Sequence, residues 1–490
     1  MKKILLFTVL LLSLFANAQI INIPDANFKA KLLAASPTNG IALDANYNQI
    51  KIDINNDSEI QINEALQVYY LNIHNSNINN LEGIRSFTNI INLVCEGNSL
   101  TSLDLSGLAN LYFLNCSLNL ALSTINLNGL TNIDGIDCGY CSLSTLDLSG
   151  LTSLVSLNCN SNDLLTLNLN GLINLQGLSC RNNQLTSLNL NNLYSLVGLE
   201  CRGNQLTDLN LSGLTNLTHV ICNQNNINNL NLSGLIYLQY LGCLSNQLTN
   251  LNINDLSNLK VLDCSYNQIT NIDTSGLTSI EDLYINNNLL GNLSVVGLST
   301  LKILDCFYNQ LSYINLSNNM VLQSLNCSNN QLSSIDVSAN TLFNELYCTN
   351  NQLTSLNIKN NRNEFISFNG NPNLQYICAD TNQLANVQNL AASYGYTNCV
   401  VDSNCALSNQ NFNVAEAFSI YPNPVKDILT IDTTIVMTTI SIYNALGQLV
   451  KTIANAKDTK TIDVASLKNG NYFMKIETND GVVNQKFIKI

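Results

Sequence analysis

A cysteine returns at a fixed interval through the middle of the chain. Cys159, Cys180, Cys201, Cys222, Cys243 and Cys264 stand 21 residues apart. Cys95, Cys116 and Cys138 precede them in the same slot, Ile285 fills the next turn, and Cys306, Cys327 and Cys348 resume. A period of this length means that each repeat is one small unit that cannot bury its apolar side alone, so the units must stack. Residues 151–171, LTSLVSLNCNSNDLLTLNLNG, align with 172–192, LINLQGLSCRNNQLTSLNLNN, and with 193–213, LYSLVGLECRGNQLTDLNLSG. The shared frame is L-x-x-L-x-x-L-x-C-x-x-N-x-L-x-x-L-x-L-x-x. It runs from about residue 87 to about 360, with one 22-residue turn at 108–129 and weaker copies at 66–86 and 362–382.

Sixteen cysteines in an exported chain would ordinarily suggest a disulfide framework. The ladder argues otherwise. Stacked turns lie about 4.8 Å apart, but their Cβ vectors run parallel instead of converging, which disfavours bonding. A column of reduced, buried thiols is expected, and one Cys per turn offers no tetrahedral metal set. Three residues after the Cys comes Asn98, Asn119, Asn162, Asn183, Asn204, Asn225, Asn246, Asn267, Asn288, Asn309, Asn330 and Asn351, with Cys141 replacing it once. A buried amide both donates and accepts. It can therefore satisfy the backbone groups that a sharp bend leaves unpaired.

This frame resembles the leucine-rich-repeat family over about 300 residues. Its two nested L-x-x-L-x-L/C halves are similar to the short bacterial subclass. The resemblance implies a β-rich solenoid of 21-residue repeats with short strands on one or both sides of each turn.

The ends depart from the frame. Lys2 and Lys3, an apolar run at 4–15 and Ala16-Asn17-Ala18 read as a signal peptide over residues 1–18, so the mature chain should start near Gln19. No later apolar run is long enough for a membrane helix. Residues 19–65 form an N-terminal cap. Within it Asp53, Asn55, Asp57, Glu59 and Glu64 fall at spacings that resemble the calcium loop of the EF-hand and dockerin families. Ser58 stands where that loop has Gly, and Gln61 is a poor ninth ligand. The resemblance implies structural calcium; the plain alternative is a solvated Asn/Asp-rich turn. The solenoid spans 66–382, and 383–417 form a C-terminal cap and linker. Cys378, Cys399 and Cys405 lie off the ladder, and a disulfide between Cys378 and Cys399 is the first expectation.

Residues 418–490 change character, with turn-forming Gly and Pro between β-rich runs, which reads as a small all-β sandwich. SIYPNPV at 419–425, YNALGQL at 443–449, LKNGNYF at 467–473 and the terminal KFIKI at 486–490 resemble the type A sorting domain of the type IX secretion system of Bacteroidetes. The resemblance implies handling by that machinery and a secreted or outer-membrane-surface destination.

Net charge is -13 and pI about 4.5, which argues against nucleic acid and anionic membrane as partners. Two His and no Trp leave little material for His-based catalysis, and stacked turns offer shallow faces instead of a closed pocket; an enzyme is not expected. The outward positions of the two strand faces differ. Around L-x-L they are monotonous: Ser187, Asn189, Asn191; Asp208, Asn210, Ser212. Around L-x-C they vary, and carry Arg181, Glu200, Arg202, His219, Tyr240, Asp263, Tyr284, Asp305, Phe307 and Tyr347. Aromatics and Arg among small residues are the composition of recognition surfaces. The expected function is binding of an extracellular protein or glycan through this first face, in adhesion or recognition. The alternative is a structural surface-layer or matrix protein whose first face has merely drifted.

Overall fold

The computed structural model describes residues 19–405, 418–433, 435–478 and 481–490. The signal segment at 1–18 and the linker at 406–417 lie outside the described residues. The chain divides into two compact units, Met1–Leu217 and Thr218–Ile490.

In the first unit, Asp25 caps the helix Ala26–Leu33 by accepting from the backbone N–H groups of Asn27 and Phe28, both at 2.9 Å. Its other oxygen accepts from Asn79 and Asn80, which ties the cap to the first turn. Phe28 and Leu32 are buried beneath it. A two-residue strand, Ala42–Leu43, lies antiparallel on Tyr70–Asn72 and covers what would be an open sheet edge. Parallel three-residue strands then follow turn by turn: Asn92–Val94, Phe113–Asn115, Gly135–Asp137, Ser156–Asn158, Gly177–Ser179 and Gly198–Glu200. Their central residues, from Leu71 to Leu199, stack in register and are buried.

The second unit repeats this construction from His219–Ile221 through Tyr240–Gly242, Val261–Asp263, Asp282–Tyr284, Ile303–Asp305, Ser324–Asn326 and Glu345–Tyr347 to Phe365–Ser367. The second side of the coil forms strands in only some turns. Ser102–Asp104 pairs with Thr124–Asn126 in the first unit. In the second, Ser334–Asp336, Ser355–Asn357, Tyr376–Cys378 and Val400–Asp402 form one parallel sheet. Helix Leu384–Ser393 crosses between the last two strands and buries Val387 and Ala391.

The interior is the two columns of the frame. The ladder cysteines are buried thiols. Burial pushes the Cys180 and Cys222 thiols up to about 12, and Cys141 to about 11. The Asn column does what its chemistry allows. Asn162 Nδ2 donates to the carbonyls of Cys138 at 2.9 Å and Cys159 at 3.2 Å, and its Oδ1 accepts from Leu143 at 3.0 Å, so one amide fastens two turns. Where Cys141 replaces Asn, its Sγ lies 3.5 Å from the Cys116 carbonyl and keeps part of that bridge.

Off the ladder the disulfide expectation is corrected. Cys378 bonds Cys405, with Cα atoms 5.2 Å apart. In the strand pair Tyr376 stands opposite Val400 and Cys378 opposite Asp402. Cys399 is therefore level with Gln375, three residues or about 10 Å along the strand from Cys378 and beyond disulfide reach. The bend after Asp402 returns Cys405 over Cys378.

Residues 418–490 form two antiparallel sheets. One contains Phe418–Tyr421, Ile428–Thr433 and Thr461–Asp463; the other contains Leu449–Ala454, Met437–Asn444, Gly470–Thr478 and Gly481–Lys489. Leu429, Ile431, Ile440, Ile442, Met474 and Phe487 are among the residues buried between them.

Candidate functional site

Strand residues alternate between faces. With Leu and Cys inward, the remaining positions of each L-x-C strand point outward. Because the strands stack in register, each outward residue joins a column that crosses the turns.

In the first unit the column is largely self-paired. Arg181 Nε lies 3.2 Å from Glu200 Oε2, and Ser179 Oγ donates to the same carboxylate at 2.9 Å. The Arg181 backbone N–H donates to Asn160 Oδ1. Arg202 is exposed beside them.

In the second unit aromatics and carboxylates dominate. The rings of His219 and Tyr240 are nearly parallel, 6.3 Å apart, and His219 Nδ1 is 2.8 Å from Thr218 Oγ1. Asp263, Tyr284 and Asp305 occupy one column on three consecutive strands. Burial raises the Tyr284 hydroxyl, and the charges of Asp282, Asp263 and Asp305 raise it further. Burial, with Asp263 assisting and the Phe307 N–H opposing, pushes the Asp305 carboxyl up to about 6. Asp305 Oδ1 is buried without a hydrogen-bond partner. Phe307 meets Tyr308 edge-on at 5.5 Å, and Tyr347 meets Phe365 at 5.3 Å.

Sequence reasoning missed part of this surface. Tyr266 and Tyr308 are 53% and 55% exposed on the turns that carry Asp263 and Asp305. Both hold left-handed backbone, with φ of 52° and 51°. The matching position is mostly small or polar in other turns, such as Ser161, Asn182, Ser245, Asn287, Asn329 and Asn350, with Leu118 and Tyr140 among the exceptions. The recurrence of Tyr at this position, also at Tyr140, was the available signal. Asp282, next to Tyr284 on its strand, was also overlooked; burial raises its carboxyl, with the Glu281 charge adding to the effect.

Two clefts, of about 180 Å³ beside Tyr70 and about 270 Å³ beside Arg362, contain none of the candidate residues. Both are smaller than the usual small-molecule site.

The N-terminal loop holds its acidic residues close along the chain. Asn56 and Ser58 are left-handed, with φ of 60° and 65°, so Ser58 makes the turn for which a calcium loop uses Gly. Asp53 is buried, and its Oδ1 accepts from the Asp57 N–H at 3.2 Å. Glu64 accepts from Ile54 at 2.8 Å and from Gln61 at 3.0 Å, while the Glu59 side chain pairs with Lys29 at 2.7 Å. Among the described residues no group of three or more His, Cys, Asp or Glu is gathered as a metal site.

Residues 257–299 match the family of leucine-rich repeats in two copies, and residues 419–490 match the secretion system C-terminal sorting domain. No curated protein sequence matches the chain significantly. Among solved structures it is similar to the functional domain of InlJ from Listeria monocytogenes, which is described as including a cysteine ladder. The TM-score is 0.62 at 23% identity, over 96% of this chain and 98% of that one. It is also similar to a leucine-rich-repeat protein of Leptospira interrogans, with a TM-score of 0.52 at 20% identity over 70% of this chain and 97% of that one. The fold is thus that of bacterial leucine-rich-repeat proteins. The chain is a leucine-rich-repeat protein with a C-terminal type IX secretion sorting domain, and that tail marks it as secreted or surface-exposed. Among the described residues no helix is long and apolar enough to cross a membrane.

Proposed function

We propose that the first strand face binds an extracellular protein or glycan in adhesion or recognition, and that the protein is not an enzyme. One observation carries this reading. Exposed aromatics accumulate on one side of a coil whose other side is mostly Ser, Thr, Asn and Asp, with Tyr313 an exception, and three of them, Tyr140, Tyr266 and Tyr308, occupy backbone that disfavours them. A purely structural surface protein has no reason to retain them. The test is a protein and glycan array probed with the mature chain. Any hit should weaken on Tyr240→Ala, Tyr284→Ala or Tyr347→Ala, with a few such residues costing roughly 2 kcal/mol each. Asn189→Ala and Asn231→Ala should leave it unchanged. Equal losses on both faces would sink the assignment.

Export follows from the tail. The signal peptide should deliver the chain to the periplasm, and deleting residues 418–490 should hold it there. Undiminished appearance outside the cell would overturn this.

We further propose that calcium settles in the N-terminal loop through Asp53, Asn55, Asp57, the Glu59 carbonyl and Glu64, as a fastener of the cap with no part in recognition. The left-handed Asn56 and Ser58 favour it; the ion would have to draw Glu64 away from the Ile54 and Gln61 amides. Calorimetry should show one site that Glu64→Ala removes. Absence of calcium heat, with a melting temperature indifferent to chelator, would leave only the turn.

A further inference from the structure

We propose that Asp263, Tyr284 and Asp305 anchor an arginine or lysine side chain presented by an extended basic segment of a protein ligand. The proposal rests on the reading of the first face as a binding surface and names what that face takes. The three residues follow one another on strands Val261–Asp263, Asp282–Tyr284 and Ile303–Asp305, paired in parallel with Asp263 opposite Tyr284 and Tyr284 opposite Asp305. Neighbouring strands are about 4.8 Å apart, so the two carboxylates stand about 10 Å apart with the phenol ring between them. A cation lying on that ring meets the π-face below it and a carboxylate on either side.

Charge complementarity selects this occupant. The strand residues from His219 to Ser367 include Asp263, Asp282, Asp305 and Glu345, and no Lys or Arg. The lysines nearest this column in sequence, Lys260 and Lys302, stand one position before their strands, and Lys302 is paired with Glu281. The acidic stretch therefore has no cation of its own in the column. Asp263 Oδ1 already accepts from the Ser265 N–H at 3.1 Å. Asp305 is half-buried: its Oδ1 is shut off from solvent, so the rest of the carboxylate is what faces outward. A guanidinium or ammonium group supplies the countercharge that the carboxylates lack within the column. The surrounding aromatics, Tyr240, Phe307 and the exposed Tyr266 and Tyr308, can cover the aliphatic stem and the flanking residues. A sugar can donate its hydroxyls to the same oxygens but leaves the acidic stretch without a countercharge.

The test is fluorescence anisotropy of the full mature chain with a labelled decapeptide alternating Arg and Ser, against one alternating Gln and Ser. The Arg peptide should bind at least about tenfold more tightly, and the preference should shrink as salt rises. Asp263→Asn with Asp305→Asn should cost the Arg peptide about tenfold or more, and Tyr284→Leu about threefold or more. If the double variant does not fold, Asp263→Asn alone and the salt series of the unmodified chain carry the test. Equal binding of the two peptides, no binding of the Arg peptide at millimolar concentration, or undiminished affinity in the Asp variants would overturn the proposal. The array separates the two levels. A hit lost on Tyr240→Ala but kept by the Asp variants ends this inference alone. A hit indifferent to every first-face variant ends the broader reading as well.

Discussion

On the turn at 172–192, the first side of the coil turns Gly177, Ser179 and Arg181 outward, and the second turns Ser187, Asn189 and Asn191. Behind them the two sides are alike: Leu178 and Cys180 on one, Leu188 and Leu190 on the other, all buried. The outward residues differ in what they touch. Those of the first side are half-buried by their neighbours in the sheet, whereas those of the second are exposed. Ser179 can therefore bond Asn160 from the turn before and Glu200 from the turn after. Asn189 accepts from the backbone of Asn191 on its own turn. On this turn a first-side substitution changes a column, while a second-side one changes a single residue in water. The second side has such a link at Asp104, which pairs with Arg85 and accepts from Asn126 of the next turn, so the contrast is one of degree.

The sharpest probe of that difference is a pair of asparagines six positions apart. Asn204 donates to the carbonyls of Cys180 and Cys201, both at 3.0 Å, and accepts from Leu185 at 3.0 Å. Asn210 is exposed on the second side and accepts only from Ser212, at 3.0 Å. Asn204→Ala strands buried backbone groups and should cost about 3 kcal/mol or more. Asn210→Ala should cost about 1 kcal/mol or less. Urea denaturation of the two variants checks this, and similar midpoints would mean that the buried amides do not fasten the turns.

Asp305 gives a smaller effect with a pH signature. Its folded carboxyl titrates at about 6, above the ordinary 3.8, chiefly through burial. Between those values the folded chain holds more protons than the unfolded chain, so stability falls as pH rises through the window. Asp305→Asn should therefore stabilise at pH 7.5 by on the order of 1 kcal/mol, after allowance for screening by solvent. Near pH 3, below both values, the carboxyl is protonated in folded and unfolded chain alike and the gain should all but vanish. Melting curves at the two pH values decide it, and a gain that persists undiminished at pH 3 would assign the effect to packing.

The period made the coil legible, because a 21-residue frame with Leu and Cys at fixed places leaves few other ways to bury them. The Asn column was legible for the same reason. What failed depended on which parts of the chain meet. The order Cys378, Cys399, Cys405 does not reveal that Cys399 falls at the far end of the strand opposite Tyr376. Nor does the frame reveal that Asn319 and Asn340, standing where earlier turns have Leu, donate to the turn before and keep a buried, unpartnered oxygen. For the candidate site, alternation placed the outward residues correctly. That Arg181 is paired with Glu200, while Asp305 Oδ1 has no donor, is a matter of contact and could not be read from spacing.

The smallest predicted effect concerns the bend at the end of each first-side strand. The residue two after the ladder Cys is left-handed in turn after turn, as at Asn287, Tyr308 and Asn329, with φ of 52°, 51° and 57°. Asn tolerates that region because it has no branched or bulky group near the backbone and can hydrogen-bond locally; a Tyr there is strained. Tyr308 offsets some of this through its edge-on contact with Phe307, yet more than half of it remains exposed. Tyr308→Asn should therefore stabilise the chain by a few tenths to about 1 kcal/mol. Asn350 Nδ2 already donates to Asn329 Oδ1 at 3.0 Å, so Asn at 308 could extend an amide row that the turn at 306–309 interrupts. If melting shows the gain and the variant binds the Arg peptide less well, strain at this bend is retained for recognition. If Tyr308→Asn lowers the melting temperature, the ring supports Phe307, and the first side owes that aromatic to packing.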